Sequence, residues 1–281
     1  MKVSVAMAVY NGELYLKQQL ESILNQTILP DEVVIVDDCS KDASLSILRD
    51  FEKEYPIIKI IENERNLGYI LNFRKALSYT TGEIIFLADQ DDIWMPNKIE
   101  KILDIYKSNQ CSVISSEFIL IDDTSNPIKD SGSYRLSGRR DQNIFISDVN
   151  EIKTVELIFK NRYPGCTLAL SAETRDLYLK INNLEVVHDH AILIIGSIIG
   201  GAYYLNEPTM MYRVHGNNNI GIRKKNKKIT LALKKPSKPK IIKLLEELNV
   251  YTQVHNYRAY KVICYLRLPY IMDIIERLFK G

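Results

Sequence analysis

The feature that most constrains the fold is a regular alternation over residues 1–120. Short, continuous apolar runs rich in β-branched residues alternate there with amphipathic stretches of helical length. Such runs are typical of parallel strands buried on both faces, and the amphipathic stretches are typical of the helices that cover them. The pattern predicts an α/β fold with a mostly parallel sheet flanked by helices. We expect strands at 3–9, 32–36, 57–61, 84–88 and 112–120, and helices at 14–24, 45–51, 70–77 and 99–106.

The second half of the chain is less regular. Residues 121–150 form a polar stretch without apolar period, whose length is typical of a mobile loop over a site. Further on, the pattern predicts helices at 155–159, 172–180 and 191–199, and strands at 167–170, 202–205 and 209–214. We expect one domain over 1–222, with halves at 1–110 and 111–222, followed by 223–281.

Composition excludes several classes of protein. With 46% hydrophobic residues the chain can fold around a core, and a net charge of +2 does not suggest nucleic-acid binding. The four cysteines form no CxxC pair, so neither a disulfide framework nor a zinc knuckle is encoded. The first apolar run is too short for a signal peptide, and no stretch approaches the roughly 20 apolar residues of a membrane span. We expect a cytoplasmic protein.

The C-terminal segment differs from the rest of the chain in its charge. Ten basic residues and no acidic one lie between Arg223 and Lys243, and amphipathic stretches follow at 241–260 and 262–279. One interpretation is a solvated linker with packing helices. The other is a surface that rests on anionic lipid, which attracts each basic residue by about 1 kcal/mol. In that case the protein is peripheral on the inner face of the membrane.

Polar side chains follow the predicted strands. Asp37 and Asp38 come after the second strand, and Asp89, Asp91 and Asp92 come after the fourth. In α/β sheets, ligands bind outside the carboxyl ends of the strands. One such carboxylate can simply cap a helix, but three within four residues repel one another unless a cation compensates. The second group therefore indicates a divalent-metal site.

Five ordered segments carry a family resemblance: VSVAMAVYNGELYLKQQLESILNQT, EVVIVDDCSKDAS, NERNLGYILNFRKALSYTTGEIIFLADQDDIWMPNKIEKI, HDHA and YRVHGNN. Together they resemble glycosyltransferase family 2, the inverting nucleotide-sugar transferases with a GT-A fold, over about residues 1–220. DQDDIW, NLGYxxNF and YRxHGNN are most similar to bacterial rhamnosyltransferase-type enzymes of polysaccharide assembly. The resemblance implies a Rossmann-like GT-A domain with a C-terminal helical extension.

The resemblance implies a nucleotide-sugar pocket at the strand ends. One of Asp37 and Asp38 accepts a hydrogen bond from the base, and which one does so is left open. Arg213 is expected to neutralise charge on the diphosphate. The full set expected to bind the nucleotide-sugar is Val9, Tyr10, Asn11, Asp37, Asp38, Arg65, Asn66, Gly68, Asn72, Asp89, Gln90 and Arg213.

The resemblance also implies a metal cofactor, Mn²⁺ or Mg²⁺. The expected metal ligands are Asp89, which also lies near the ribose, and Asp91, which holds the ion against the diphosphate. His215 is a further ligand or else a structural histidine. A cation there stabilises the charge that develops on the leaving nucleoside diphosphate. Asp92 is expected to support the site or to bind a further ligand.

Removal of the acceptor proton needs a base on the opposite face of the sugar. The resemblance assigns this role to Asp189, with a plain helix N-cap as the alternative. His188 stands where the family most often has glutamate, and either orients Asp189, contacts the acceptor or caps the helix. Trp94 lines the acceptor side or packs in the core, and Cys166 shapes the pocket.

These residues predict a metal-dependent inverting glycosyltransferase that moves a sugar from dTDP-rhamnose to a glycan or lipid-linked acceptor in cell-surface polysaccharide synthesis. A UDP-hexose or UDP-N-acetylhexosamine transferase of the same family is the alternative. A nucleotidyltransferase would carry a glycine-rich basic loop after the first strand, which is absent. A non-catalytic sugar-nucleotide binding protein would lack the metal or base residues. The oligomeric state is open.

Overall fold

The computed structural model describes residues 1–109, 111–128, 148–182, 185–215, 221–225, 228–232 and 238–252. Eleven strands and eight α-helices lie within these residues. The strands are β1 (Val3–Val9), β2 (Glu32–Asp37), β3 (Ile58–Glu62), β4 (Ile84–Ala88), β5 (Ile93–Trp94), β6 (Val113–Ile121), β7 (Val149–Ile152), β8 (Leu168–Ser171), β9 (Ala202–Arg213), β10 (Gly221–Lys225) and β11 (Lys228–Ala232). The helices are α1 (Leu16–Leu24), α2 (Ser44–Glu54), α3 (Tyr69–Tyr79), α4 (Lys98–Asn109), α5 (Thr154–Phe159), α6 (Ala172–Lys180), α7 (His188–Ile199) and α8 (Lys238–Thr252).

A nine-stranded sheet runs through the domain in the order β3-β2-β1-β4-β8-β6-β9-β5, with β7 paired to β9. The strands β1 to β4 pair in parallel, and β6 pairs in parallel with β9. Between these two groups, β8 is antiparallel to both β4 and β6. Six strands therefore point the same way, while β5, β7 and β8 oppose them. The predicted mostly parallel α/β sheet is confirmed.

The sequences of the central strands are continuous apolar runs because helices cover both faces of the sheet. Val5, Ile35 and Phe86, from three adjacent strands, are completely buried. Each buried aliphatic or aromatic side chain contributes roughly 1.5–3 kcal/mol of hydrophobic stabilisation. This core fixes the positions of the strand ends, where the predicted site residues lie.

The structure corrects three details of the prediction. The strands expected at 202–205 and 209–214 are one strand, β9, which passes through Pro208 with a register shift against β6. Because proline has no N–H to donate, an irregularity in the ladder accommodates it. The short β5 was not predicted, and β7 begins at the end of the polar stretch 121–150 and extends beyond it. Residues 129–147 of that stretch lie outside the described residues.

The segment after residue 215 differs from a plain basic linker. The boundary predicted at 222 falls inside β10, which pairs antiparallel with β11. Helix α8 buries Ile241, Leu244, Leu245 and Leu248, so its apolar face packs on the domain. The helix predicted at 262–279 lies outside the described residues. Among the helices described, none combines the length and the hydropathy needed to cross a bilayer.

Candidate functional site

The ends of β1 and β4 are joined by a pair of hydrogen bonds. The Tyr10 backbone N–H donates to Gln90 Oε1 (2.7 Å), and Gln90 Nε2 donates to the Tyr10 carbonyl (3.1 Å). A Cβ at Gly12 would lie 2.6 Å from Gln90 Cδ, so a larger residue there would displace the Gln90 side chain from these hydrogen bonds. Asn11 has a φ of 49° and accepts from the Lys41 N–H, which ties the same edge to the loop after β2.

Asp38 organises the loop that precedes α3. Its Oδ1 accepts from Asn63 Nδ2 and from the Leu67 N–H, both at 2.7 Å, and its Oδ2 accepts from the Gly68 N–H at 2.8 Å. Gly68 has a φ of +79°, and a Cβ there would meet nothing within 4 Å. The backbone conformation therefore favours glycine, and the space beside it is open. Asp38 holds a loop whose outer side has room for a ligand.

The other residues predicted around this pocket take different positions. Asp37 accepts from the Ser40 N–H through Oδ2, while its buried Oδ1 has no hydrogen-bond partner among the described residues. Asn72 is buried and bridges Asn63 and the Val36 carbonyl, so it supports the loop from beneath.

Three further members of the predicted set complete this edge. The Val9 carbonyl accepts from the Asp38 N–H at 2.7 Å, and the Val9 side chain is buried in the core. Asn66 donates to the Asp38 carbonyl at 3.1 Å. Arg65 is exposed on the same loop. The structure thus brings the predicted residues of the first three strand ends to one edge of the sheet.

The acidic residues after β4 separate into an inner and an outer group. The inner group consists of Asp89, Asp92 and Cys166, whose candidate ligand atoms lie within 4.8 Å of one another. Asp92 Oδ1 accepts from the Arg213 N–H at 3.0 Å. Burial, reinforced by the charge of Asp91, raises the pKa of Asp89 to about 7 and that of Asp92 well above its usual value.

The outer group consists of Asp91 and His215. His215 Nε2 lies 2.8 Å from Asp91 Oδ2, and their side chains are 13% and 19% exposed, respectively. The predicted metal ligands are thus divided, because Asp89 joins the inner group. A carboxylate and an imidazole are suitable ligands for Mn²⁺ or Mg²⁺, and the outer pair can be reached by a ligand.

Arg213 lies beneath Asp91. Its Nε donates to the Asp91 carbonyl (2.7 Å), its Nη2 donates to Gln18 Oε1 (2.8 Å), and its Nη1 donates to Ser125 Oγ (2.9 Å). The guanidinium carbon lies 4.4 Å from the centroid of the Tyr15 ring, and that ring also contacts His215. These contacts fix the backbone at Asp91. A direct contact of Arg213 with diphosphate stays a prediction.

Trp94 packs in the core. It is 3% exposed, and its ring contacts Phe86 at a centroid distance of 5.7 Å. The Lys98 ammonium lies 4.4 Å from the Trp94 ring centroid. The structure therefore favours the core alternative for Trp94, because its ring is buried against Phe86.

Asp189 lies in the first turn of α7, one residue after the helix begins. Because Val187 occupies the N-cap, the plain-cap alternative for Asp189 is wrong. Asp189 Oδ1 accepts from the His190 N–H at 2.6 Å, and the Asn161 side chain also hydrogen-bonds to the carboxylate. Burial raises the pKa of Asp189 to about 6, although these hydrogen bonds oppose the shift.

His188 is buried beside Asp189, and neither of its ring nitrogens has a hydrogen-bond partner among the described residues. Its ring stacks on Phe73 at 4.4 Å and meets the edge of Tyr69 at 6.1 Å. A Cβ at Gly165 would lie 3.0 Å from His188 Nε2, so the glycine admits the imidazole. Burial lowers the pKa of His188 to about 3, so the ring is neutral near pH 7. His188 does not cap the helix.

Sequence reasoning missed four residues of this region: Tyr15, Tyr69, Lys98 and Asn161. Lys98 carried a signal, because it lies on the apolar stripe of α4 with Ile102 and Ile105. A lysine on the apolar face of a helix indicates either that the helix is wrongly predicted or that a specific interaction stabilises the buried charge. The other three carried no periodic signal.

Comparison with known proteins gives concordant results. The family model described as Glycosyl transferase family 2 matches residues 4–163. The dTDP-rhamnosyl transferase RfbG of Shigella flexneri is 28% identical over 267 residues, which cover 89% of this chain and 87% of the relative. The putative teichuronic acid biosynthesis glycosyltransferase TuaG of Bacillus subtilis is 28% identical over 79% of this chain and 82% of the relative.

Among solved structures, S. aureus TarS 1-349 in complex with UDP-GlcNAc superposes with a TM-score of 0.59. The match covers 90% of this chain and 73% of that one, at 19% sequence identity. At this identity the likeness concerns the fold.

Proposed function

The chain belongs to glycosyl transferase family 2, and from that membership we propose that it transfers one sugar from a nucleotide-sugar donor to an acceptor hydroxyl with inversion. The observation that carries the proposal is the position of Asp189. Its carboxylate is partly buried, held by two hydrogen bonds, and close enough to the inner acidic group that its charge raises the pKa of Asp89. This proximity supports a base at Asp189 that acts beside a leaving-group site at the acidic residues after β4.

In the proposed reaction, Asp189 removes the proton of the acceptor hydroxyl. The acceptor oxygen bonds to the anomeric carbon as the bond from that carbon to the diphosphate oxygen breaks. The proton ends on the Asp189 carboxylate and the electron pair of the broken bond on the nucleoside diphosphate. The His190 N–H and Asn161 hold the carboxylate during this step.

Asp91 and His215 are the residues that would hold Mn²⁺ or Mg²⁺. When bound, such an ion stabilises negative charge on the departing diphosphate. Arg213 positions Asp91 through its backbone carbonyl, and the Tyr15 ring packs against both Arg213 and His215. This outer pair is therefore preorganised by neighbouring side chains.

The donor we propose is dTDP-rhamnose. The name of the Shigella flexneri relative supports this choice, because that match spans 89% of this chain. The complex of TarS with UDP-GlcNAc supports the alternative, a UDP-sugar. The two donors differ in both base and sugar. Binding of the nucleoside diphosphate alone distinguishes the bases and leaves the sugar undetermined.

We expect dTDP with Mn²⁺ to raise the midpoint of thermal unfolding more than UDP, GDP or CDP with Mn²⁺, because a ligand that binds the native state stabilises it. Asp91→Asn should remove the metal-dependent part of the shift. Asp104→Asn, on the exposed side of α4, is the matched control and should retain it. A shift selective for UDP would support the alternative donor, and no shift with any nucleotide would contradict the proposal.

The pH dependence of the rate tests the base. Because the pKa of Asp189 is raised to about 6, the carboxylate is protonated and inactive below that pH and ionised above it. We expect kcat/KM to rise through about pH 6 and then level off. Asp189→Asn should lower kcat by at least about 100-fold with nucleotide binding retained. A profile that stays flat down to pH 4.5 would place the base elsewhere.

His188 offers two unpartnered ring nitrogens beside the base, and we assign them to a hydroxyl group of the sugar that reacts there. Since His188 makes no hydrogen bond with Asp189 among the described contacts, it acts on the ligand. His188→Phe keeps the stacking on Phe73 and removes both nitrogens. We expect a rise in KM for the donor or acceptor of about tenfold, while dTDP binding is unchanged. An unchanged KM would show that the imidazole only fills space.

The acceptor we propose is a glycan or lipid-linked glycan of cell-surface polysaccharide synthesis, which the name of the Bacillus subtilis relative supports. Because the apolar face of α8 packs on the domain, binding to an anionic membrane would rest on the basic residues of 223–240.

Vesicle flotation tests this membrane contact. We expect the full chain to float with anionic vesicles and not with neutral ones, and the binding to fall with added salt. Changing Lys224, Lys225, Lys227 and Lys228 to Gln should abolish it. The matched control replaces four exposed lysines of the domain: Lys17, Lys53, Lys107 and Lys153. Equal flotation of both variants would contradict the membrane proposal.

A further inference from the structure

A lysine ammonium is fully buried beneath the acidic site. Lys98 has no exposed surface, and its Nζ donates to the Cys166 carbonyl (2.9 Å) and contacts Met210 Sδ (3.3 Å). The third neighbour is the face of the Trp94 ring, 4.4 Å away. A carbonyl, a thioether and an indole face are neutral groups, so none of these contacts balances the charge. A buried charge persists only where other charges compensate it.

The compensating charges come from the inner acidic group. Cys166 connects the two, because its carbonyl accepts from Lys98 while its thiol lies within 4.8 Å of ligand atoms of Asp89 and Asp92. Burial lowers the pKa of Lys98 to about 8, and the electrostatic interactions with Cys166, Asp92 and Asp89 oppose that shift. The inner group thus consists of two acids and a thiol, with a buried lysine beside them.

We propose that Lys98 is the resident cation of the Asp89–Asp92–Cys166 group, and that it reserves the divalent ion for Asp91 and His215. The ammonium allows the inner carboxylates to be buried without metal. It also repels a divalent ion from that position, since both are cations. Lys98 is thus a positioning residue, and its effect on the metal rests on the proposed function.

The first test is Lys98→Met in the full chain, with Mn²⁺ affinity and thermal unfolding as readouts. Methionine has a similar length and suits a site lined by Trp94 and Met210. We expect the variant to unfold at a lower temperature in EDTA, because the inner carboxylates lose their counter-charge. We expect its affinity for Mn²⁺ to rise by about tenfold or more, since one nearby positive charge is gone. Lys107→Met, on the exposed side of α4, is the control and should change neither quantity.

A second variant separates counter-charge from packing. Asp92→Asn removes one negative charge but keeps an Oδ1 that can accept from the Arg213 N–H. We expect Lys98→Met to destabilise the protein less in the Asp92→Asn background than in the wild type. If Lys98→Met alone does not fold, the double variant should recover folding.

Two results would overturn the proposal: unchanged or weaker Mn²⁺ affinity in a folded Lys98→Met variant, or equal destabilisation in both backgrounds. If the wild type shows no response to Mn²⁺, the metal part of the proposed function fails. In that case, the difference in destabilisation by Lys98→Met between the wild type and the Asp92→Asn background still decides whether the ammonium serves as counter-charge.

Discussion

Confining carboxylates at a buried sheet edge is the constraint on which the rest of this site depends. Asp89, Asp91 and Asp92 lie within four residues at the end of β4, and burial together with mutual repulsion raises the pKa of Asp89 and Asp92. Like charges at this density need cations nearby. Lys98, from α4, hydrogen-bonds to the carbonyl of Cys166 in the inner group, and Arg213, from β9, hydrogen-bonds to the carbonyl of Asp91 in the outer group.

At the same edge, polar side chains hold the backbone in place. Asp38 accepts two consecutive backbone N–H groups and one side-chain amide, which sets the loop before α3. Gln90 does the equivalent for the end of β1 by bonding both the N–H and the carbonyl of Tyr10. Side chains that hold backbone in this way leave the outer surface of the loops open for a ligand. The pocket is therefore rigid on its inner side, as preorganised binding requires.

The residues at the start of α7 have a different environment. Asp189 and His188 begin α7, where Asp189 is hydrogen-bonded and His188 is enclosed by Phe73 and Gly165 without a polar partner. A buried polar group without a partner is costly, so such groups are rare outside functional sites. Burial moves the pKa of Asp189 up to about 6 and that of His188 down to about 3. An ionisable acid thus lies next to a neutral imidazole near pH 7.

The sequence by itself determined the α/β class, the first four strands and the edge of the sheet where the polar residues meet, because continuous apolar runs and helical periods are local patterns. Its motifs also indicated the family and predicted Asp89, Asp91 and His215 as one set of metal ligands. The sequence did not indicate the continuity of β9 through Pro208, the two-residue β5 or the antiparallel pairing of β10 with β11, because pairing between strands decides these features. Only the tertiary structure decided that Asp89 groups with Cys166, that Trp94 is core and that Lys98 is a buried cation. Burial and charge compensation depend on which distant residues meet, and spacing along a chain does not encode that.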